Sequence, residues 1–217
     1  MAKKILVACE ESQTVVLAFR TLGAEAFSCD IQECSGGHPE WHVQQDVLPM
    51  LQGNCSFKVL TGMEYSIEAW DLIIAHPPCT YLSSAGNAWF NEEKYGEKAR
   101  ERKVLREEAM QFFMDCINAN SKHICVENPL GYPCKAYKPA TQILQPYMFG
   151  DAYSKRTLLW LKGLPTLEPT DVVSPDRVNT SWYQAAWNYN AVTRKRIRSK
   201  TFPGIAAAMA RQWLPII

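Results

Sequence analysis

The sequence has no hydrophobic run of membrane length, no Cys-x-x-Cys pair and almost no net charge. The apolar stretch Ile5–Ala8 is too short for the core of a signal peptide and far too short for a bilayer span, which takes about 20 residues. No membrane partner is expected, and the expected compartment is the reducing cytoplasm. A formal charge of +1, from 23 Lys and Arg against 22 Asp and Glu, excludes a uniformly basic nucleic-acid coat; any such surface must be local. Internal repeats, low-complexity tracts and clear linkers are also missing, which excludes solenoids and disordered chains. The composition, 47% hydrophobic and 21% charged over 217 residues, fits one globular domain with a core of its own.

Eight cysteines are present. In a reducing compartment they are expected as free thiols. Cys29, Cys34, His38 and His42 are zinc-type side chains, but their spacing matches no common structural pattern, so no metal is expected.

The apolar runs Ile5–Ala8, Ala26–Cys29, Val43–Val47, Trp70–Ala75, Ile124–Val126 and Thr157–Leu161 predict strands. Val15, Val16, Phe19 and Leu22 recur at helical spacing before Gly23. Residues 98–118 predict a long helix with Leu105, Ala109, Phe112 and Cys116 on its apolar stripe. Pro203 opens a C-terminal helix over Gly204–Trp213. Residues 163–193, proline-rich and aperiodic, predict a loop-rich insertion. The alternation of strand and helix predicts a doubly wound, mostly parallel α/β sheet.

In such a sheet ligands bind beyond the carboxyl ends of the strands. Those ends carry Cys9-Glu10-Glu11-Ser12, Asp30, Asp46, His76-Pro77-Pro78-Cys79 and Glu127-Asn128-Pro129. A thiol at one strand end and a carboxyl at the next suit attack on an electron-poor ring with concurrent protonation. Each residue alone also fits a plainer role, Cys79 as a packed small side chain and Glu127 as a cap.

Pro78-Cys79 after a buried strand, followed 48 residues later by Glu127-Asn128, resembles the DNA cytosine-5 methyltransferases. The segments 35–42, 154–157, 159–165 and 199–205 resemble, more narrowly, the short phage and prophage DNA cytosine methylases. The resemblance implies a Rossmann-like class I S-adenosylmethionine-dependent methyltransferase fold in one domain spanning 1–217, with 163–200 as a small substrate-recognition insertion. It implies that Cys79 attacks carbon 6 of cytosine, that Glu127 engages ring N3 and the amino group, and that Arg156 steadies the base or its backbone. Carbon 5 then receives a methyl group from S-adenosylmethionine or a modified derivative. The implied partner is DNA, duplex or single-stranded, in a bacterial or phage-infected cell. A base within a duplex would have to be flipped out.

The cofactor is expected on the turn Ala8, Cys9, Glu10, Glu11 and Ser12, with Asp30 at the ribose and Asp46 near the adenine amino group; Ile31 and Pro77 are further expected cofactor-binding residues. Three departures from the family stand out: the turn has no glycine, Thr80 follows Cys79 where glutamine is usual, and no separate target-recognition domain is present. The same chemistry on RNA or a free nucleotide, and an inactive DNA-binding or anti-restriction relative, remain alternatives. Arg194, Lys195, Arg196, Arg198 and Lys200, next to Trp182, Tyr183, Trp187 and Tyr189, are the expected nucleic-acid surface. The second basic stretch, Lys98–Arg106, is interleaved with acids and is expected to be a solvated face.

Overall fold

A computed structural model describes residues 2–181 and 188–217 of the chain. Nine strands are formed among them: β1 (Lys4–Ala8), β2 (Glu25–Asp30), β3 (His42–Gln44), β4 (Cys55–Lys58), β5 (Glu64–Ile67), β6 (Leu72–Ala75), β7 (Ile124–Asn128), β8 (Gln142–Leu144) and β9 (Thr157–Lys162). The helices are α1 (Thr14–Thr21), α2 (Glu92–Tyr95), α3 (Glu97–Ile117), α4 (Pro133–Ala136), α5 (Ala191–Ser199) and α6 (Pro203–Trp213). Seven strands form one sheet in the order β3-β2-β1-β6-β7-β9-β8, and β4 and β5 form a separate hairpin. β3, β2, β1, β6 and β7 are parallel to one another, whereas β9 runs antiparallel to both β7 and β8. The chain is thus an α/β protein with a seven-stranded, mostly parallel sheet.

Strand alternation divides the core into two layers. Ile5, Val7, Ala26, Leu72, Ile74, Cys125 and Leu159 face α1 and α6, where Val15, Val16, Phe19, Ile205, Met209 and Trp213 cover them. Leu6, Ala8, Phe27, Ile73, Val126, Leu158 and Trp160 face Met110, Phe113 and Cys116 of α3 and Phe57 of the hairpin. The central strands are buried on both faces, which is why they read as continuous apolar runs.

Four sequence expectations need correction. β3 ends at Gln44, so Asp46 lies outside the strand, where its carboxylate accepts a hydrogen bond from Leu48 N. β7 continues through Glu127 and Asn128, because antiparallel β9 supplies partners at Leu159 and Leu158. The buried side of α3 is displaced from the expected stripe: Ala99, Met110, Phe113 and Cys116 are buried and Leu105 is exposed. Finally, Lys98–Arg106 is not wholly a solvated face. Arg100 and Lys103 do pair with Glu92 and Glu97 in solvent, but Arg102 and Arg106 turn toward the loop after β6. There they donate to the carbonyls of Thr80 and Tyr81. Their guanidinium groups stack over Tyr81, Phe90 and Tyr132.

Candidate active site at the strand carboxyl ends

Adjacent parallel strands β6 and β7 end side by side, and the residues that leave them meet. His76, just beyond β6, donates its backbone N–H to Ala8 O of β1 at 3.0 Å. Its Nδ1 lies 3.3 Å from Glu127 Oε2, with 9% and 19% of the two side chains exposed. Asn128 Nδ2 donates to Pro77 O at 2.8 Å, which holds the diproline to the end of β7. A turn follows, with Leu82 N and Ser83 N donating to Cys79 O. That turn is stitched to the segment after β7, since Tyr132 N donates to Leu82 O and Ser84 N to Leu130 O. Gly131 is required here, because a Cβ at that position would lie 1.9 Å from Leu82 O.

Cys79 is exposed. Enough protein still surrounds it that desolvation raises its pKa, and the charge of Glu127 raises it further; Lys155 and Arg198 act in the opposite direction. Burial pushes the Glu127 pKa up, but the hydrogen bond and charge of His76, with Lys155, outweigh burial and leave it below the ordinary carboxylate value. Burial lowers the Lys155 pKa, and the negative fields of Glu127 and Cys79 oppose that shift. Thiol, carboxylate, imidazole and ammonium therefore occupy one electrostatic neighbourhood. By contrast, Cys29 and Cys116 are packed thiols with pKa values pushed up to about 12 by burial.

Lys155 escaped the sequence reading, which took its neighbour Arg156. Arg156 is exposed, whereas Lys155 sits beside Glu127 and Cys79 and donates from Nζ to Arg198 O at 3.0 Å. It lies two residues before β9, the strand that pairs with the Glu127 strand.

The turn after β1 solves its lack of glycine by forcing Cys9 and Gln13 to φ values of 60° and 58°. Glu10 is buried, and its carboxylate accepts from Val15 N at 2.7 Å and Val16 N at 3.3 Å, so it caps the start of α1. Burial raises its pKa, against the charge of His76 and the two amides. Glu11 is also buried. Both its carboxylate oxygens lack hydrogen-bond partners among the described residues, and Oε2 lies 3.3 Å from Arg196 Nε. Ser12 Oγ reaches Glu10 and Thr14. Ala8 and Pro77 are buried.

The loop after β2 lies against this turn. Ser35 N donates to Glu11 O, His38 N to Gln13 Oε1, and Gln13 Nε2 to His38 O. Gly36 allows the approach, since a Cβ there would come within 2.5 Å of Gln13 Cβ. Asp30 is half-buried and accepts from Gln32 N, and Ile31 is 75% exposed. Cys9 lies in the negative fields of both Asp30 and Asp46, so these acids border the same end of the sheet as the turn. Gln13 and the buried pair Ser28–His42, joined at 2.8 Å, also escaped the sequence reading.

The expected basic surface divides. Arg194, Lys195, Arg196 and Arg198 lie on α5 and Lys200 ends it. Arg196 turns inward to Glu11, Arg198 gives its carbonyl to Lys155, and Arg194 donates to Tyr189 O. The Lys195 side chain and the residues Trp182, Tyr183 and Trp187 lie outside the described part of the structure. Among the described residues no three His, Cys, Asp or Glu side chains are placed to hold a metal ion, and no helix is long and apolar enough to cross a membrane. No protein-family model matches the chain, and no curated protein matches it.

Proposed function

We propose that the protein transfers a methyl or related group from S-adenosylmethionine to carbon 5 of cytosine in DNA, through a covalent adduct on Cys79. The single observation that carries this reading is that Cys79, in the loop after β6, lies within the electrostatic reach of Glu127 on the adjacent parallel strand β7, with Lys155 acting on both. The sheet order, with antiparallel β9 between β7 and β8, is compatible with the class I methyltransferase fold.

The residues around the first turn fit the cofactor. Glu11 offers a buried carboxylate that has no hydrogen-bond partner among the described residues and is ion-paired at Oε2 with Arg196, a cation site suited to an ammonium group in its place. Asp30 suits a pair of ribose hydroxyls, and Asp46 and Ile31 suit the adenine edge and face. The cofactor would supply an electrophilic methyl group. Cys79 adds to carbon 6 as the thiolate, which Lys155 and Arg198 favour. Glu127 holds ring N3 and gives it a proton as carbon 6 is attacked, so that carbon 5 becomes nucleophilic. Carbon 5 takes the methyl group, and a base then removes the carbon-5 proton as the C5=C6 bond re-forms and the thiolate leaves.

Nucleoside mass spectrometry tests the proposal. Duplex DNA, single-stranded DNA and RNA are each incubated with protein and S-adenosylmethionine, digested, and searched for modified cytidines. One added methyl on deoxycytidine, absent with Cys79→Ser, is expected. Modification of RNA alone would move the substrate class. No modified base on any substrate would overturn the reading.

A further inference from the structure

His76 is placed to do more than support a turn. Its backbone is fixed to Ala8 O, its Nδ1 lies 3.3 Å from Glu127 Oε2, and its charge acts on Glu10 of the β1–α1 turn. Nε2 is buried without a hydrogen-bond partner among the described residues. Glu10 is already occupied by the α1 amides, so the acid bonded to the ring is Glu127. The charge of Lys155 also acts on Glu127, and Cys79 lies in the same loop as His76.

This arrangement conflicts with a simple role for Glu127. A carboxylate next to an imidazole and an ammonium is held in its charged form, yet the reaction proposed above needs a proton at ring N3. We propose that His76 is a positioning residue that stores, on Nδ1, the proton Glu127 delivers to the cytosine ring. The inference rests on the cytosine reading. As the Cys79 thiolate forms its bond to carbon 6, the C5=C6 pair shifts to C4=C5 and the C4=N3 pair goes to N3. Glu127, a carboxylate at rest, takes the Nδ1 proton of the imidazolium and gives it to N3. His76 ends neutral and Glu127 ends as it began. Elimination of the thiolate reverses the transfer and recharges His76.

The pH profile separates this role from a structural one. In the native protein the stored proton sits on the His76 ring, at the nitrogen that faces Glu127 Oε2 at 3.3 Å. In His76→Asn the side chain still donates a hydrogen bond but holds no proton, so the proton must reside on Glu127 itself. The alkaline limb of kcat/KM should then move to lower pH. The loss should be on the order of 100-fold at alkaline pH and much smaller at acid pH. Adding His76→Asn to Glu127→Gln should cost nothing more, because the two act as one unit. His76→Gln, measured alone and with Glu127→Gln, gives the same comparison should the Asn variant fail to fold. A variant profile parallel to wild type at all pH, or additive losses in the double variant, would overturn the His76 role alone. A wild-type protein that modifies no cytosine would overturn the cytosine reading and this inference with it.

Discussion

Replacing Glu10 with Ala should destabilise the fold through the start of α1, independently of any catalytic role. Glu10 supplies both hydrogen bonds to the amides of Val15 and Val16, and both valines are fully buried against the sheet. Hydrogen bonds to a charged acceptor contribute about 1.5–3 kcal/mol each, and a buried amide left unpaired costs about 1–3 kcal/mol. Against this, the native state keeps a carboxylate out of water, and the raised pKa shows that this desolvation is not fully offset. We therefore expect a net loss of about 2–3 kcal/mol, toward the upper end of cap deletions. For a chain of this size that corresponds to a fall in Tm of about 4–12 °C. The pH dependence has a definite sign. A folded-state pKa raised above the unfolded one means that stability from this group is present at acid pH and is lost as pH rises through the folded value. Glu10→Gln keeps an acceptor and does not titrate. Wild type should therefore gain stability relative to Glu10→Gln as pH falls from neutral toward the ordinary carboxylate range. Circular-dichroism melts of the three proteins across that range read both effects. A Tm unaffected by Glu10→Ala, or a wild-type advantage that shrinks on acidification, would refute the argument.

Two further outcomes test the site without a substrate. Lys155→Met removes a cation that lowers the Cys79 pKa, so alkylation of Cys79 by iodoacetamide, followed by peptide mass spectrometry, should slow at mildly alkaline pH; an unchanged or faster rate would remove Lys155 from the thiol's surroundings. Gly131→Ala places a Cβ against Leu82 O and must separate the two segments, so the bonds Tyr132 N to Leu82 O and Ser84 N to Leu130 O are lost. At about 0.5–1.5 kcal/mol per bond, urea unfolding should report a loss of about 1–3 kcal/mol, and equal stability would show that the contact yields freely.

The parallel core was legible because strands buried on both faces are written as unbroken apolar runs, as in Leu72–Ala75 and Ile124–Val126. Parallel pairing then put Cys79 and Glu127 at one edge without any need to know the loops. The hairpin β4–β5 and the edge strand β8 were not legible. The hairpin is buried on one face only, with Phe57 and Ile67 inward and Lys58 and Glu64 exposed, so no continuous apolar run marks it. The face of α3 was misread for a chemical reason. Arg102 and Arg106 take inward positions by stacking on Phe90 and bonding carbonyls, and a pattern of apolar residues cannot register a buried guanidinium. Lys155 was missed because its role depends on β9 running antiparallel beside β7, a pairing no local pattern announces.

The glycine-free turn shows how tertiary bonds replace a local propensity. A non-glycine residue at positive φ costs about 1–3 kcal/mol, and the turn contains two, Cys9 and Gln13. Gln13 offsets this with side-chain bonds to both backbone groups of His38 and to Ser28 Oγ. Cys9 donates its N–H to Cys29 O at 2.7 Å. The conformation is thus imposed from β2 and from the loop that follows it. In a glycine turn the backbone is free to adopt this shape alone; here the turn, the Gly36 loop and the end of β2 must form together.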